Sequence, residues 1–310
     1  MQFNFDICII GGVGHIGLPL GLAFANKNKK VILYDVHKKN IELVKNKKMP
    51  FIEYGAEKIL RNKFKNLEIT SDPNFISKAK FIIICIGTPV SSNLKPKTKP
   101  FLDFFNFYKK FKKKKQILII RSSVYPGVCD KVRKILNYSN DISYCPERIV
   151  QGLAIYELPK LTQIISGYSK NSIKESSKLF KEICKDVIQS SVKEAELIKL
   201  FSNAYRYVNF SIANQFYMMC KNLNLDYKNV REKMMIGYYR NSNIPKAGFT
   251  AGPCLLKDTI QLSHFFQNKF ELAKSAMKIN EGLPKFIIDD LIKNYKIKNK
   301  TLAILGLTFK

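Results

Sequence analysis

The sequence has 310 residues, more than one hydrophobic core usually covers, so we expect two domains. Hydrophobic residues make up 46% of it, which excludes a disordered chain, and no apolar run is long enough to cross a bilayer. The formal net charge is +29, but only seven of the 53 basic residues are arginine, a profile typical of AT-rich coding, so we expect neither a nucleic-acid nor a membrane partner.

The first strand-like segment, Phe5–Gly11, leads into a turn with the pattern Gly-x-Gly-x-x-Gly. Between a strand and a helix, this pattern is typical of a dinucleotide site. Its first glycine permits a tight turn, its second lets the backbone approach a pyrophosphate, and its third allows close helix packing. The alternative is a glycine-rich turn without a ligand. We expect the cofactor to be bound by Gly12, Val13, Gly14, His15, Ile16 and Gly17.

The second strand-like segment, Lys30–Val36, carries Asp35 near its end. A carboxylate at that place accepts hydrogen bonds from ribose hydroxyls and repels a 2′-phosphate. Asp35 therefore predicts NAD rather than NADP as the cofactor.

Further segments predict strands that are buried on both faces of a parallel sheet. They are short, β-branched and almost continuously apolar, and they cover Lys80–Gly87, Gln116–Ser123 and Thr162–Gly167. Amphipathic stretches separate them. The sequence therefore predicts an α/β fold, with a Rossmann-type doubly wound parallel sheet over residues 1–191.

Polar residues follow several of these strands, where the carboxyl ends of a parallel sheet line a ligand crevice. Thr88, Ser122 and Ser123 are expected to face the cofactor there, and local Ser/Thr turns are the alternative. Glu147 and Arg148 lie in a predicted loop further on. They form either part of a site or an ion pair at the surface.

The pattern changes after about residue 191. Glu194–Leu225 runs 32 residues without Gly or Pro and repeats its apolar positions at helical spacing. A helix of that length, about 48 Å, exceeds a small domain. We therefore expect an all-helical central domain over residues 192–297, built on this long helix, and a homodimer packed across it. Lys199 and Asn203 share one face of the helix among apolar neighbours, which argues against two solvated polar residues.

The segment Gly252–Thr259, "GPCLLKDT", places a proline where a helix begins and a cysteine just after it. Cys254 would then lie at a helix N-terminus, where the dipole favours a thiolate. Asp258 follows one turn later, where a carboxylate can exchange protons with the thiol or with a water. The alternative for Cys254 is a small packing residue.

The total of seven cysteines is odd and includes no CxxC pair, and no signal peptide precedes the first strand. We therefore expect neither disulfides nor a metal site, and a cytoplasmic protein. Most of the other thiols are expected to be ordinary core residues.

Over essentially its whole length the sequence resembles the nucleotide-sugar dehydrogenases, the UDP-glucose/UDP-N-acetylmannosamine/GDP-mannose dehydrogenase family. The resemblance is carried, in this order, by "GGVGHIG", "GTP", "RSSVYPG", "YCPER", "AELIKLFSNAYR", "GPCLLKDT" and "LGLTFK". It implies oxidation of the primary alcohol of a nucleotide sugar to a carboxylate in two NAD-dependent steps, for surface polysaccharide synthesis.

The resemblance also implies roles for single residues. Cys254 matches the nucleophile that holds the aldehyde as a thiohemiacetal and then carries the acyl group as a thioester. Lys199 and Asn203 match a pair that stabilises oxyanion character at the reacting carbon.

Hydrolysis of the thioester and contact with the sugar are assigned in the same way. Asp258 matches the carboxylate that orders the water and acts as a base, helped by Ser123 where relatives often carry threonine. Glu147 matches a glutamate implicated in thioester hydrolysis. Phe249 and Gly252 fall in the loop that contacts the sugar.

In the family, residues like the terminal "LGLTFK" open a third domain that completes the nucleotide-sugar site. We expect residues 298–310 to form its first strand, and the 310-residue chain to bind NAD better than it turns over. Two alternatives remain. A hydroxyacid dehydrogenase of the 6-phosphogluconate type shares the Rossmann and helical domains and the Lys-x-x-x-Asn face but transfers a single hydride and needs no Cys254. A non-catalytic basic binding protein on the same fold is the other.

Overall fold

The computed structural model describes residues 3–91, 95–138, 141–250, 252–295, 297 and 300–305. Contacts divide the chain into two units. The first unit comprises residues 1–91 and 97–199, and the second comprises residues 92–96 and 200–310.

A single sheet of eight strands organises the first unit. Its strands are β1 (Phe5–Ile10), β2 (Val31–Tyr34), β3 (Leu67–Thr70), β4 (Ala79–Ile84), β5 (Ile117–Ile120), β6 (Asp141–Tyr144), β7 (Thr162–Gly167) and β8 (Asp186–Gln189). They are ordered β3-β2-β1-β4-β5-β6-β7-β8, and neighbours from β3 to β6 pair in parallel. The predicted doubly wound sheet is thus confirmed, and most of its pairings are parallel.

The sheet also departs from the prediction at three strands and one pairing. The sequence does not predict β3, β6 or β8. In β3 the buried and half-buried residues alternate, and β8 is largely exposed, so both lack the continuous apolar character of the central strands. The expectation of parallel pairing is wrong for β7, which runs antiparallel to β6 and parallel to β8.

Helices cover both faces of the sheet. They are α1 (Gly17–Asn26), α2 (Lys38–Lys45), α3 (Ala56–Asn62), α4 (Lys99–Tyr108), α5 (Val128–Ile135), α6 (Ala154–Glu157) and α7 (Lys170–Lys181). Alternate side chains of β1 enter separate cores: Ile7 and Ile9 join one with α1 and α7, whereas Cys8 and Ile10 join the other with α4 and α5. Each fully buried isoleucine stabilises the fold by about 1.5–3 kcal/mol.

The helix α8 (Val192–Asn222) begins in the first unit, and its residues from Leu200 onward belong to the second. The second unit continues with α9 (Tyr227–Met235), α10 (Pro253–Phe265) and α11 (Glu271–Tyr295). The predicted long helix is therefore confirmed. It ends at Asn222, three residues before the predicted end at Leu225. Over the described residues, none of the helices has both the length and the apolar character needed to cross a membrane.

The last part of the chain was expected to begin a further strand. Residues 300–305 belong to no helix or strand, so no strand forms over Thr301–Leu305. Residues 298–299 and 306–310 lie outside the described part of the chain.

Candidate active site

The glycine turn between β1 and α1 is shaped by close backbone contacts. Gly11 is its left-handed residue, with φ +80°, so the tight turn is made one residue before Gly12. Gly12 instead packs on β2, since a Cβ there would lie 2.6 Å from the Leu33 Cα. A Cβ on Gly17 would lie 2.1 Å from the Gly11 carbonyl oxygen, so the start of α1 can approach the turn only with glycine.

Two other glycines leave space at the carboxyl edge of the sheet. Among the described residues, a Cβ on Gly14 would meet only the Gly11 carbonyl oxygen, at 3.4 Å, and a Cβ on Gly87 would meet no atom within 4 Å. Gly14 follows β1 and Gly87 follows the neighbouring β4. Open backbone beside the N-terminus of α1 fits a pyrophosphate, so these residues suit a dinucleotide.

The remaining residues of the turn differ in exposure. Val13 is fully buried, Ile16 is half-buried and His15 is exposed. The His15 ring stacks on Phe51, with 4.0 Å between the ring centroids. Among these three side chains, His15 is the one that solvent or a ligand can reach most freely.

Asp35 connects the end of β2 to the glycine turn. Its Oδ2 accepts a hydrogen bond from the Val13 backbone N–H at 3.1 Å. Its Oδ1 accepts from the N–H groups of Val36 and His37, at 2.8 and 3.0 Å. A carboxylate offers about four acceptor positions. Asp35 is therefore held in place and retains capacity to accept a ribose hydroxyl.

The hydroxyl residues after β4 and β5 hold the edge of the sheet together. The Thr88 hydroxyl donates to the Ser123 carbonyl oxygen at 2.5 Å, and the Ser122 hydroxyl donates to the Ile84 carbonyl oxygen at 3.3 Å. These partners lie 35 and 38 residues away in the sequence, so both hydroxyls donate to a distant part of the chain and not within their own turns. Ser123 itself is half-buried beside this bond.

Glu147 lies inside the first unit, in an ion pair with Arg121. Its other oxygen, Oε1, accepts hydrogen bonds from the N–H groups of Arg148 and Ile149 at 2.7 and 2.8 Å. The alternative of a surface ion pair with Arg148 is therefore wrong. Both carboxylate oxygens are engaged, which fixes Glu147 as an oriented anion.

Arg121, directly after β5, is a site residue that the sequence pattern does not predict. Its Nη1 donates to the Gln163 Oε1 at 2.9 Å and to the Cys145 carbonyl oxygen at 3.3 Å, and its guanidinium carbon lies 5.0 Å from the centre of the Phe180 ring. Burial lowers the pKa of Arg121 and the Glu147 carboxylate raises it, and the net direction is upward. A basic residue at the end of the apolar run "ILII" was the available signal.

Lys199, the last residue of the first unit, and Asn203 are both buried, with 7% and 8% of their surfaces exposed. The alternative of two solvated polar residues is therefore wrong. Within the second unit the Asn203 Nδ2 donates to the Asp258 Oδ2 at 2.6 Å, and the Lys257 Nζ lies 2.7 Å from the Asp258 Oδ1. The Asp258 carboxylate is thus completely buried, paired and oriented.

Cys254 lies in the first turn of α10, as the sequence predicts, and its side chain is exposed. Gly252, with φ +81°, precedes the helix, and Phe249 before it is 63% exposed. Asp258 lies one turn after Cys254 but differs from it in being buried. An exposed thiol at a helix N-terminus is available to a substrate, whereas the carboxylate is shielded from bulk water.

Polar side chains that the sequence analysis did not identify support the loop before α10. The Gly248 N–H donates to the Asn214 Oδ1 at 2.8 Å, and the Arg231 Nε donates to the Ile244 carbonyl oxygen at 2.8 Å. Asn214 also donates to the Asn280 Oδ1 at 2.9 Å. Polar residues within apolar helical stretches were the only sign of this network.

A doubly wound sheet, an open glycine turn and an acceptor carboxylate after β2 together define a Rossmann-type dinucleotide-binding protein. The model for the UDP-glucose/GDP-mannose dehydrogenase family, NAD binding domain, matches residues 5–184, and that for the central domain of the same family matches residues 193–282. The chain belongs to the UDP-glucose/GDP-mannose dehydrogenase family, and its cofactor is NAD. The predicted family and cofactor are confirmed, and membership places the chain among dehydrogenases.

Several individual proteins are similar to this chain over nearly its whole length. Protein CapL of Staphylococcus aureus is 29% identical, over 99% of this chain and 75% of CapL. The UDP-N-acetyl-D-mannosamine dehydrogenase of Methanococcus vannielii is 27% identical, over 98% of this chain and 72% of that protein. The solved structure of the UDP-D-ManNAc dehydrogenase of Pyrococcus horikoshii superposes with a TM-score of 0.88 at 24% identity, covering 95% and 72% of the two chains.

Proposed function

We propose that this protein oxidises the primary alcohol of a nucleotide sugar to a carboxylate, with transfer of four electrons to two molecules of NAD. The observation that carries the proposal is the exposed Cys254 in the first turn of α10, in a chain of this dehydrogenase family. A single hydride transfer needs no covalent partner, whereas a second one requires the aldehyde to be held.

In the first oxidation the alcohol carbon loses a hydride and the hydroxyl loses a proton to solvent, which gives an aldehyde. The glycine turn and Asp35 would hold NAD, which when bound would supply the acceptor for both hydrides. Lys199 and Asn203 stabilise negative charge on the substrate oxygen as it develops. Their burial supports this role, because hydrogen bonds to charge are stronger where water is excluded.

In the second oxidation the Cys254 thiolate adds to the aldehyde carbon and forms a thiohemiacetal. Loss of a second hydride from that carbon leaves a thioester on Cys254. Water then attacks the acyl carbon, which releases the carboxylate and regenerates the thiol. Asp258, oriented by Asn203, orders this water and takes its proton, with help from Ser123. Glu147, fixed by Arg121, contributes to the hydrolysis as an oriented anion.

The substrate that we propose is a UDP-N-acetylhexosamine, with Phe249 and Gly252 in the loop that contacts the sugar. The names of the relatives from Methanococcus vannielii and Pyrococcus horikoshii support this choice over UDP-glucose. The product would be the corresponding uronate, a building block of surface polysaccharides. We place the reaction in the cytoplasm.

We also propose that the protein is a homodimer that packs across α8. Apolar side chains follow one face of this helix at spacings of three, four and seven residues, although they are exposed. This α8 stripe comprises Phe201, Tyr205, Ile212, Phe216 and Met219. The first two residues of the stripe, Phe201 and Tyr205, also line an apolar cavity of about 480 Å³. Phe266, Phe270 and Leu272 are among the other residues that line this cavity. A second copy of the stripe would cover such a surface.

The reaction is tested by measuring how many molecules of NADH form per molecule of sugar consumed. NAD is in excess, and UDP-N-acetylmannosamine, UDP-glucose or GDP-mannose is limiting. We expect two NADH and one carboxylate per sugar for the preferred substrate. One NADH with release of an aldehyde would instead favour single hydride transfer.

Variants of the two central residues extend this test. Cys254→Ser should lower turnover by orders of magnitude, because a serine hydroxyl is far less ionised than a thiol at neutral pH. Asp258→Asn should leave a thioester on Cys254 that intact mass detects. The control is Asp289→Asn, which changes an exposed carboxylate on α11 and should accumulate no adduct.

A further inference from the structure

Helix α5 is capped by a side chain that lies far away in the sequence. Gly127 precedes this helix with φ +88° and has no side chain to cap it. The Glu196 carboxylate on α8 takes that place: its Oε2 accepts from the Gly127 N–H at 2.8 Å and its Oε1 from the Cys129 N–H at 3.0 Å. Both N–H groups would otherwise lack an intrahelical acceptor.

Glu196 is 1% exposed, so it is a buried carboxylate whose oxygens are both satisfied. Burial raises the pKa of Glu196, while the hydrogen bonds from Cys129 and Gly127 lower it. The positive end of the α5 dipole compensates part of the cost of burying the charge. Burying a carboxylate carries a desolvation cost, and the two hydrogen bonds from α5 offset part of it.

The position of Glu196 joins two parts of the proposed site within the first unit. The loop between β5 and α5 carries Ser122 and Ser123, and it ends at Gly127. On the other side, Lys199 follows Glu196 by three residues on α8 and so lies close to it on the helix surface. Val192 and Ala195 pack the same turns of α8 against the core beside α5.

We propose that Glu196 is a positioning residue. It holds Lys199 at a fixed position relative to the Ser122–Ser123 loop and hence relative to bound NAD. This role rests on the proposed function, in which Lys199 stabilises the substrate oxygen. The carboxylate itself touches backbone N–H groups of α5, so it acts through the two elements that it joins. Glycine at the cap and glutamate on α8 thus replace the local Ser, Thr or Asp that usually caps a helix.

The test compares Glu196→Ala and Glu196→Gln with Glu194→Gln. Glu194 lies two residues away, is exposed and accepts a hydrogen bond from the N–H of Ser191, the residue just before α8, so it controls for loss of charge at the start of the helix. Glu196→Gln keeps the size of the side chain and one acceptor, and it serves if the alanine variant does not fold.

In Glu196→Ala we expect hydrogen exchange at Gly127 and Cys129 to be about fivefold faster or more. Acetylation of Lys199 by acetic anhydride should also accelerate. We expect kcat to fall by about tenfold to a hundredfold while the Kd for NAD stays within about twofold, because misplacement affects the reacting groups and not the glycine turn. Glu196→Gln should be intermediate and Glu194→Gln should match the wild type.

Unchanged exchange at both amides, or unchanged acetylation of Lys199, would overturn the proposal without reference to turnover. Faster exchange with wild-type kcat would overturn it as well, because the cap would then be purely structural. If the wild-type enzyme oxidises no nucleotide sugar, the proposed function fails, and the exchange and acetylation results still decide whether Glu196 positions Lys199.

Discussion

Arg121 and Glu147 form an ion pair in the interior of the first unit, with 1% and 8% of their side-chain surfaces exposed. The ion pair and the hydrogen bond from Arg121 to Cys145 join the loops that follow β5 and β6. Arg121 reaches the Cys145 carbonyl oxygen, and Glu147 accepts from the Arg148 and Ile149 N–H groups. The pair therefore fixes the chain on both sides of a residue that we place in thioester hydrolysis.

Replacing Arg121 with methionine should destabilise the protein strongly, because Glu147 would remain buried without its cation. We expect the free energy of unfolding to fall by about 3–5 kcal/mol. Chemical denaturation of the variant and the wild type measures this difference. Lys99→Met removes an exposed pair with Asp103 and should cost no more than about 1 kcal/mol.

The double variant Arg121→Met/Glu147→Gln should recover part of the lost stability, since no buried charge is then left unpaired. A double variant that is less stable than Arg121→Met would contradict this account of the pair.

Asp35 should decide between NAD and NADP. In Asp35→Asn we expect the Kd for NAD to rise by about tenfold to a hundredfold, because hydrogen bonds to a charged acceptor contribute about 1.5–3 kcal/mol. The affinity for NADP should increase, since the repulsion of a 2′-phosphate is lost. Calorimetric titration with both dinucleotides measures the two changes.

A matched carboxylate serves as the control for Asp35. Asp6 accepts a hydrogen bond from the Lys30 N–H at 2.8 Å, at the amino end of β1 and therefore at the opposite edge of the sheet. Asp6→Asn should leave both dinucleotide affinities unchanged. Equal affinity of the wild type for NAD and NADP would rule out the proposed role of Asp35.

Features that depend on neighbouring residues could be predicted from the sequence, and those that depend on distant partners could not. The glycine turn, the acceptor position of Asp35 and the start of α10 at Pro253 each follow from a few adjacent residues. The burial of Lys199 and Asn203 followed from the apolar residues around them on one helix.

Partners separated by many residues escaped prediction. Arg121 contacts Gln163 across 42 residues, and Asn203 contacts Asp258 across 55 residues. No periodicity in the sequence encodes such a pairing, because it depends on how strands and helices are ordered in space. For the same reason the Glu147 loop was compatible with a surface ion pair until its partner was known.

Cys254 should be the thiol that reacts first with an alkylating reagent. It is exposed, whereas the other cysteines are buried or half-buried. Burial raises the pKa of Cys85 and of Cys145 to about 12, and that of Cys184 to about 11, so these thiols are protonated near neutral pH. Iodoacetamide at pH 8 should add one carbamidomethyl group, which peptide mapping should locate at Cys254.

The Cys254→Ser variant is the control for this labelling and should stay unmodified over the same time. Its affinity for NAD should equal that of the wild type, because the glycine turn and Asp35 are untouched. Modification of Cys184 or Cys85 at a rate similar to that of Cys254 would contradict the assignment of a uniquely available thiol.

The α8 stripe should hold two copies of the chain together. Phe216 and Met219 lie at its C-terminal end and are 36% and 52% exposed. A glutamate at either position would place a charge in an apolar interface, so Phe216→Glu and Met219→Glu should weaken the dimer by at least about tenfold. Analytical ultracentrifugation over a range of concentrations measures the monomer–dimer Kd.

Arg206→Glu introduces a carboxylate at an exposed polar position of the same helix and should leave the Kd within about threefold of the wild type. A wild-type protein that sediments as a monomer at micromolar concentration, or a dimer that tolerates both glutamates, would show that this face is not the interface.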